Sequence, residues 1–350
     1  MSTLSSNPPN LTRGYSVALL SALILSTTAI FIRYLTQTYQ LPALILAFWR
    51  ELFVALTLLV ALRVVRPDLT KIKKQDLPYL VIYGFVLAIF NSLWTLSVAL
   101  NGASISTVLA YCSAGFTALL GWWFLKERLD WVKIIAVVLS LGGCVLVSDA
   151  LNLEAWMANF AGILTGLLSG LFYAIYSLMG RYASQRNLNP WTTLLYTFSF
   201  GTVFLFILNL VPGDFLPGKA VQASDLLWLG TSLSGWGILL LLAVGPTLTG
   251  YGTYNISLSY LPSSVANLIL SSEPVFTAMM AYTLFGEILT FTQIIGSLMI
   301  LAGVIFLRIY EGKLLLDQAA RMNYRLPNNG WVCNSSEVFS VVESSRKFYL

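Results

Sequence analysis

The chain has 350 residues, of which 57% are hydrophobic and 10% charged, against about 25% charged in an ordinary soluble domain; its mean hydropathy is +0.77. About 200 apolar residues would fill roughly ten bilayer crossings of ~20 residues each, and so few charges cannot cover a soluble fold of this size. Histidine is absent, which excludes Ser-His-Asp hydrolysis, histidine-based zinc sites and haem on a proximal histidine.

Apolar runs fall at about 15–35, 43–62, 78–99, 104–125, 132–149, 160–180, 191–211, 236–258, 264–285 and 291–309. The first is too long for the apolar part of a signal peptide and no small-residue cleavage site follows it, so it is read as a span. The segment 225–235 is too short to cross and is expected at an interface. Loop charge sets the orientation. Arg63, Arg66, Lys71, Lys73 and Lys74 share one loop, Lys126, Arg128 and Lys133 another, Arg181 and Arg186 a third, while Arg13, Arg308 and Lys313 flank the ends. The alternate loops hold only Lys219. Every second loop is basic, which predicts ten spans with both termini cytoplasmic. Residues 1–12 are read as a cytoplasmic N-terminal segment. The polar stretch 311–350 is read as a cytoplasmic tail without assigned function.

The cysteines Cys112, Cys144 and Cys333 are odd in number, and two lie in apolar runs, so no disulfide framework is expected. No Walker or GxGxxG phosphate loop is present, so neither a nucleotide engine nor a cofactor is expected.

The chain also resembles itself. A shift of 160 residues lays FTALLGWWFLKERL (116–129) on FTAMMAYTLFGEIL (276–289), matching Phe116, Thr117, Ala118, Glu127 and Leu129 to identical residues. A shift of 148 matches Gly14, Ser21, Arg33, Tyr34 and Pro42 to Gly162, Ser169, Arg181, Tyr182 and Pro190. Each copy, 13–150 and 160–310, then holds five spans. An odd number forces the second copy into the membrane upside down, an arrangement that transporters use to alternate access. The expected fold is an all-α integral membrane protein of ten transmembrane helices in two inverted five-helix repeats.

The pattern SSEPVFTAMMAYTLFGEIL (271–289), with its weaker copy YCSAGFTALLGWWFLKERL (111–129), resembles the drug/metabolite transporter superfamily, EamA-like branch, over about 12–310. The resemblance implies ten helices around a central cavity and transport without ATP. Family members export amino acids and related metabolites; cousins carry nucleotide sugars or sugar phosphates. One departure is Ser113-Ala114 where the second copy has Glu273-Pro274.

Candidate site residues lie on the spans expected nearest the axis. Span four carries Ser104, Thr107, Tyr111, Ala114 and Ala118, and span nine carries Ser264, Asn267, Ser271, Pro274 and Ala278, at steps of three or four. Such stripes mean close packing or a water-filled cavity; the size of Tyr111 and Asn267 favours a cavity. In span eight, Gly245-Pro246, Gly250 and Gly252 should weaken the helix before Tyr251, Tyr254 and Asn255. Broken backbone is tolerated where it lines a cavity. Asn91 and Trp94 of span three align with Tyr251 and Tyr254, and Tyr173 and Tyr176 are weaker candidates.

Intramembrane charge marks a pathway, and three such residues are Arg50, Glu51 and Glu273. Arg50 and Glu51 point about 100° apart on a helix, so each is expected to need a different partner. Glu273 is the candidate proton carrier, with Glu51 a second coupling residue. Arg50 either resets Glu273 or binds a substrate carboxylate bidentately. Arg33 is read as snorkelling, and Glu127 and Glu287 as helix-end structure.

The reading is a secondary-active exporter of amino acids or related small metabolites. The alternatives are a nucleotide-sugar, sugar-phosphate or drug-type exchanger or facilitator and, last, an intramembrane enzyme or a receptor. The expected partners are a small-molecule substrate, the bilayer of the inner (plasma) membrane and protons. No nucleic acid is expected, and the chain is read as a monomer or weak homodimer.

Overall fold

The computed structural model describes residues 11–101, 106, 109–127, 129–147, 160–211, 218–285, 290–292, 294–303, 305–306 and 309–310. The chain up to Leu307 forms one compact unit. The described residues are helical, with no strand among them. The helices are α1 (Leu11–Leu25), α2 (Thr28–Thr38), α3 (Ala43–Val65), α4 (Leu77–Asn101), α5 (Ser113–Phe124) and α6 (Trp131–Val147). After them come α7 (Phe160–Gln185), α8 (Pro190–Leu210), α9 (Leu233–Leu242), α10 (Gly250–Tyr260), α11 (Ser263–Leu270) and α12 (Glu273–Phe285). A last apolar helix, α13, covers Ile294–Gly303.

Among the described residues, six helical stretches are long and apolar enough to cross a membrane: Thr12–Thr38, Ala43–Val65, Lys74–Leu100, Phe160–Gln185, Pro190–Leu210 and Leu233–Tyr260. Side-chain placement is the reverse of a soluble protein's. Leu20, Val60, Trp122, Trp123, Leu241 and Met279 are exposed, while Arg50, Glu51, Asn91, Asn267 and Glu273 are buried. That inversion is what a hydrocarbon solvent selects, because polar groups must find partners inside. The chain is a multi-pass membrane protein.

Contacts between the span ends fall into two groups. At one end, Thr192 Oγ1 and Tyr196 OH donate to the carbonyls of Leu69 and Thr70, and Arg181 Nη1 donates to the Leu258 carbonyl at 2.8 Å. The Glu127 carboxylate there accepts from the Ser263 N–H and hydroxyl at 2.9 and 2.7 Å, capping the open amide end of α11. This end gathers the basic loops. At the other end, Leu44 N–H donates to the Gly218 carbonyl, Trp49 Nε1 to Leu226 and Trp228 Nε1 to Tyr39. The segment expected at an interface is therefore a packed loop, with a 3-10 turn at Ala223–Leu227, over the ends of α2 and α3.

Among the described residues four spans are interrupted, span four at the turn of Cys112 and three others where polar residues or proline interrupt the apolar sequence. Between α1 and α2, the hydroxyls of Ser26 and Thr27 donate to the carbonyls of Leu23 and Ile24, the local competition with the helix ladder that Ser and Thr favour. Between α11 and α12, the turn Ser271-Ser272 precedes Glu273-Pro274; Pro early in a helix lacks an N–H that would be unpaired anyway. In span eight, Ala243–Thr249 winds as a π-helix around Pro246. Thr247 and Thr249 donate to carbonyls five residues back, those of Leu242 and Val244. Gly250 and Gly252, expected to weaken this span, are instead close-packing positions. A Cβ there would stand 2.5 Å from Leu25 and 2.8 Å from Trp191 respectively.

Candidate functional site

The interruptions in spans one and nine border a small cavity of about 40 Å³. Leu25 and Thr28 border it from the first break, Arg50 from α3, Phe90 and Trp94 from α4. Ala110 and Tyr111 come from the helical residues just before the turn at Cys112, Tyr173 from α7, Tyr251 from α10 and Glu273 from the start of α12. Thr277, one turn into α12, donates to the carbonyl of Ser26 at 3.2 Å, tying the two broken spans together beside it.

One wall carries charge. Arg50 and Glu51 are 1% and 0% exposed. Arg50 Nη2 donates to Asn91 Oδ1 at 2.7 Å, and Asn91 Nδ2 donates to Glu51 Oε1 at 2.5 Å. The expectation of separate partners is corrected: the two residues diverge on α3, yet the amide of Asn91 offers an acceptor to one and a donor to the other. Arg50 also sits over the Trp94 ring, 5.5 Å from its centroid, a cation–π arrangement. The network is not closed, since Arg50 Nε and Glu51 Oε2 have no hydrogen-bond partner. Glu51 fits because α8 presents Gly201, where a Cβ would stand 2.3 Å from Oε2.

The facing carboxylate is Glu273, 6% exposed. Tyr111 OH donates to its Oε2 in a short hydrogen bond. As the first residue of α12, Glu273 also sits where unpaired amides favour negative charge. No cationic side chain pairs with it among the described residues. Aromatic rings complete the walls, with Phe90 and Tyr173 stacked at 4.9 Å.

Next to the cavity lies a second polar group, neutral throughout. Tyr254 OH donates to Ser177 Oγ at 2.5 Å, Asn267 Nδ2 to the same oxygen at 3.2 Å, and Ser113 Oγ to Asn267 Oδ1 at 3.1 Å. Asn255 Nδ2 donates to Tyr176 OH at 2.9 Å and Tyr83 OH to Asn255 Oδ1 at 3.5 Å. Tyr254, Asn255 and Asn267, expected at one cavity with the others, are bonded here instead of lining it. Ser271 also turns away, bonding the hydroxyl of Ser140 on α6 and the Leu268 carbonyl. Hydroxyls and amides between membrane helices are absorbed by their neighbours.

Of the candidate residues, the structure thus brings Arg50, Trp94, Tyr111, Tyr251 and Glu273 to one cavity, with Asn91 and Glu51 behind Arg50. Ser104, Thr107 and Glu287 lie outside the described residues, as do the side chains of Ser264 and Ala278. Sequence reasoning missed Thr28 and Phe90. The trio Ser26-Thr27-Thr28 inside an apolar run signalled the first, and the four-residue step from Phe90 to Trp94 on one helix face signalled the second. Among the described residues no group of His, Cys, Asp or Glu could hold a metal ion.

The EamA-like transporter family model matches residues 12–149 and 160–309. A protein named only as an uncharacterized transporter of Archaeoglobus fulgidus is 27% identical over 294 residues, spanning 83% of this chain and 95% of its own. The threonine/homoserine exporter RhtA of Salmonella typhimurium is 28% identical over 233 residues, spanning 66% of this chain and 70% of its own. One solved structure superposes with a TM-score of 0.67 at 13% identity, over 87% of this chain and 99% of that one; at that identity the likeness concerns the fold alone.

Proposed function

The chain belongs to the EamA-like transporter family, and from that premise we propose that it exports amino acids or related small metabolites through the cavity by secondary-active, alternating access. The observation that carries the reading is the presence, at one cavity inside a membrane protein, of a guanidinium (Arg50), a carboxylate (Glu273) and aromatic side chains. An amino acid carries the two complementary charges. The relatives named as threonine/homoserine exporters point the same way.

Two inverted repeats, 13–150 and 160–310, supply the second access. The family match to each half supports this. So does the register of 160, which lays the break at Cys112 in span four on the break at Ser272 in span nine. The basic loops gathered at one end support ten spans with residues 1–12 and 311–350 cytoplasmic. In this reading the protein acts in the plasma membrane as a monomer or weak homodimer, catalyses no reaction, and uses Glu273, with Glu51 behind Arg50, to couple transport to protons.

Counterflow in proteoliposomes tests the proposal. Vesicles loaded with unlabelled L-threonine or L-homoserine should draw in labelled amino acid with saturable kinetics, faster under an imposed proton gradient. Counterflow of sugar phosphates with none of any amino acid would overturn the substrate; indifference to the gradient would make the protein a facilitator.

A further inference from the structure

We propose that the cavity selects its cargo by an ammonium group seated at Glu273, and that a carboxylate on the cargo is dispensable. This rests on the reading of the cavity as the transport site and deepens it. Arg50 always keeps its proton, but its charge is already answered. Asn91 accepts from Arg50 at 2.7 Å and donates to Glu51 at 2.5 Å, so with Glu51 ionised the wall Arg50–Asn91–Glu51 carries no net charge. Glu273 has no such answer. Its partner is the neutral hydroxyl of Tyr111, and no cationic side chain pairs with it among the described residues. One uncompensated negative charge therefore remains at the cavity.

Interactions between charges strengthen as water is removed, so this excess decides what enters. An anion would face Glu273 with only a neutralised arginine in return. A solute with a primary or quaternary ammonium brings the missing charge, and Tyr111 and Tyr173 line the same cavity as Glu273. Arg50 still has an unbonded Nε, so a carboxylate can gain hydrogen bonds there. Those bonds orient the cargo without setting the charge that is admitted.

The test separates the two ends of one molecule. Purified full-length protein is titrated with L-threonine, L-threonine amide, which keeps the ammonium and loses the carboxylate, and N-acetyl-L-threonine, which does the opposite. The amide should bind within about threefold of threonine, and the N-acetyl compound more than about tenfold more weakly. Modification of Glu273 by a hydrophobic carbodiimide gives a second readout on the unaltered protein; the amide should slow it and the N-acetyl compound should not. Glu273→Gln should erase the preference, and Glu273→Asp, which keeps the charge, should retain it with weaker binding. Tight binding of N-acetylthreonine with loss of the amide would overturn the proposal and make Arg50 the anchor. If threonine fails to bind but tetramethylammonium or putrescine binds and protects Glu273, the amino-acid reading falls and the ammonium site stands. If no ammonium-bearing probe binds or protects, the site falls.

Discussion

Two polar regions lie inside the helical unit, and they are finished differently. Around the cavity, Arg50 Nε, Glu51 Oε2 and Thr28 Oγ1 have no partner, and two of the three belong to residues that border the space. In the neutral group of Tyr83, Tyr176, Ser177, Tyr254, Asn255 and Asn267, every buried side-chain atom is bonded. Buried polar atoms without partners are costly and uncommon. Of the five such atoms among the described residues, those of Arg50 and Thr28 belong to cavity-lining residues and Glu51 Oε2 lies behind Arg50, while Thr95 Oγ1 and Arg181 Nε lie elsewhere; the closed neutral group marks where helices hold one another.

Four substitutions bear on that contrast, and the largest effect is expected at the charged wall. Arg50→Met leaves Glu51 buried without the charge that answers it, and breaking such a pair costs about 3–5 kcal/mol. The thermal midpoint in detergent should fall accordingly. Arg50→Met/Glu51→Met should recover much of the loss without recovering full binding. A single variant that melts like the parent would mean that the link through Asn91 holds nothing.

Gly201→Ala asks how tightly the wall is fitted. Its methyl would stand 2.3 Å from Glu51 Oε2, and overpacking of that kind costs about 1–3 kcal/mol. Gly237 on α9 is the control, because a Cβ there meets nothing within 4 Å. Alanine at 237 should be neutral or slightly stabilising. Equal effects at the two positions would remove the case for a built wall.

In the neutral group, Asn255→Leu removes one partner from each of the hydroxyls of Tyr176 and Tyr83, a loss of roughly 1–2 kcal/mol. Calorimetry should find ligand affinity changed by less than about threefold; a larger loss would move this group into the binding machinery. Tyr254→Phe is the mildest. Ser177 keeps Asn267 as a partner, so a drop of about 0.5–1 kcal/mol in unfolding free energy is expected, with binding intact.

The helical spans were legible because hydropathy and loop charge are one-dimensional properties. The interruption before Glu273-Pro274 was not read, since 264–285 was taken as one span; the turn that carries Ser271 toward Ser140 depends on α6, which no spacing reveals. Cys112 gave no signal of a break at all. The join between Arg50 and Glu51 was hidden for a similar reason. It is made by Asn91, some 40 positions along the chain on another helix, and helical angles alone argued for two partners. Trp94, Tyr111 and Tyr251 could be found because the internal register put polar or aromatic residues at matched depths. The same register could not say which hydroxyls α7 would take up through Ser177 and Tyr176.

The π segment at Ala243–Thr249 has a mechanical meaning. A π turn stores one residue more than the α turn it replaces. Giving up that residue turns everything beyond it by about 100° around the helix axis. The passenger is α10, which carries Tyr251 at the cavity and Tyr254 in the neutral group, three positions apart. Because Thr247 and Thr249 already bond carbonyls loosened by the wide turn, their hydroxyls are at hand to follow those carbonyls through the change. The winding of Ala243–Thr249 thus sets the angle at which α10 presents Tyr251 to the cavity and Tyr254 to the neutral group.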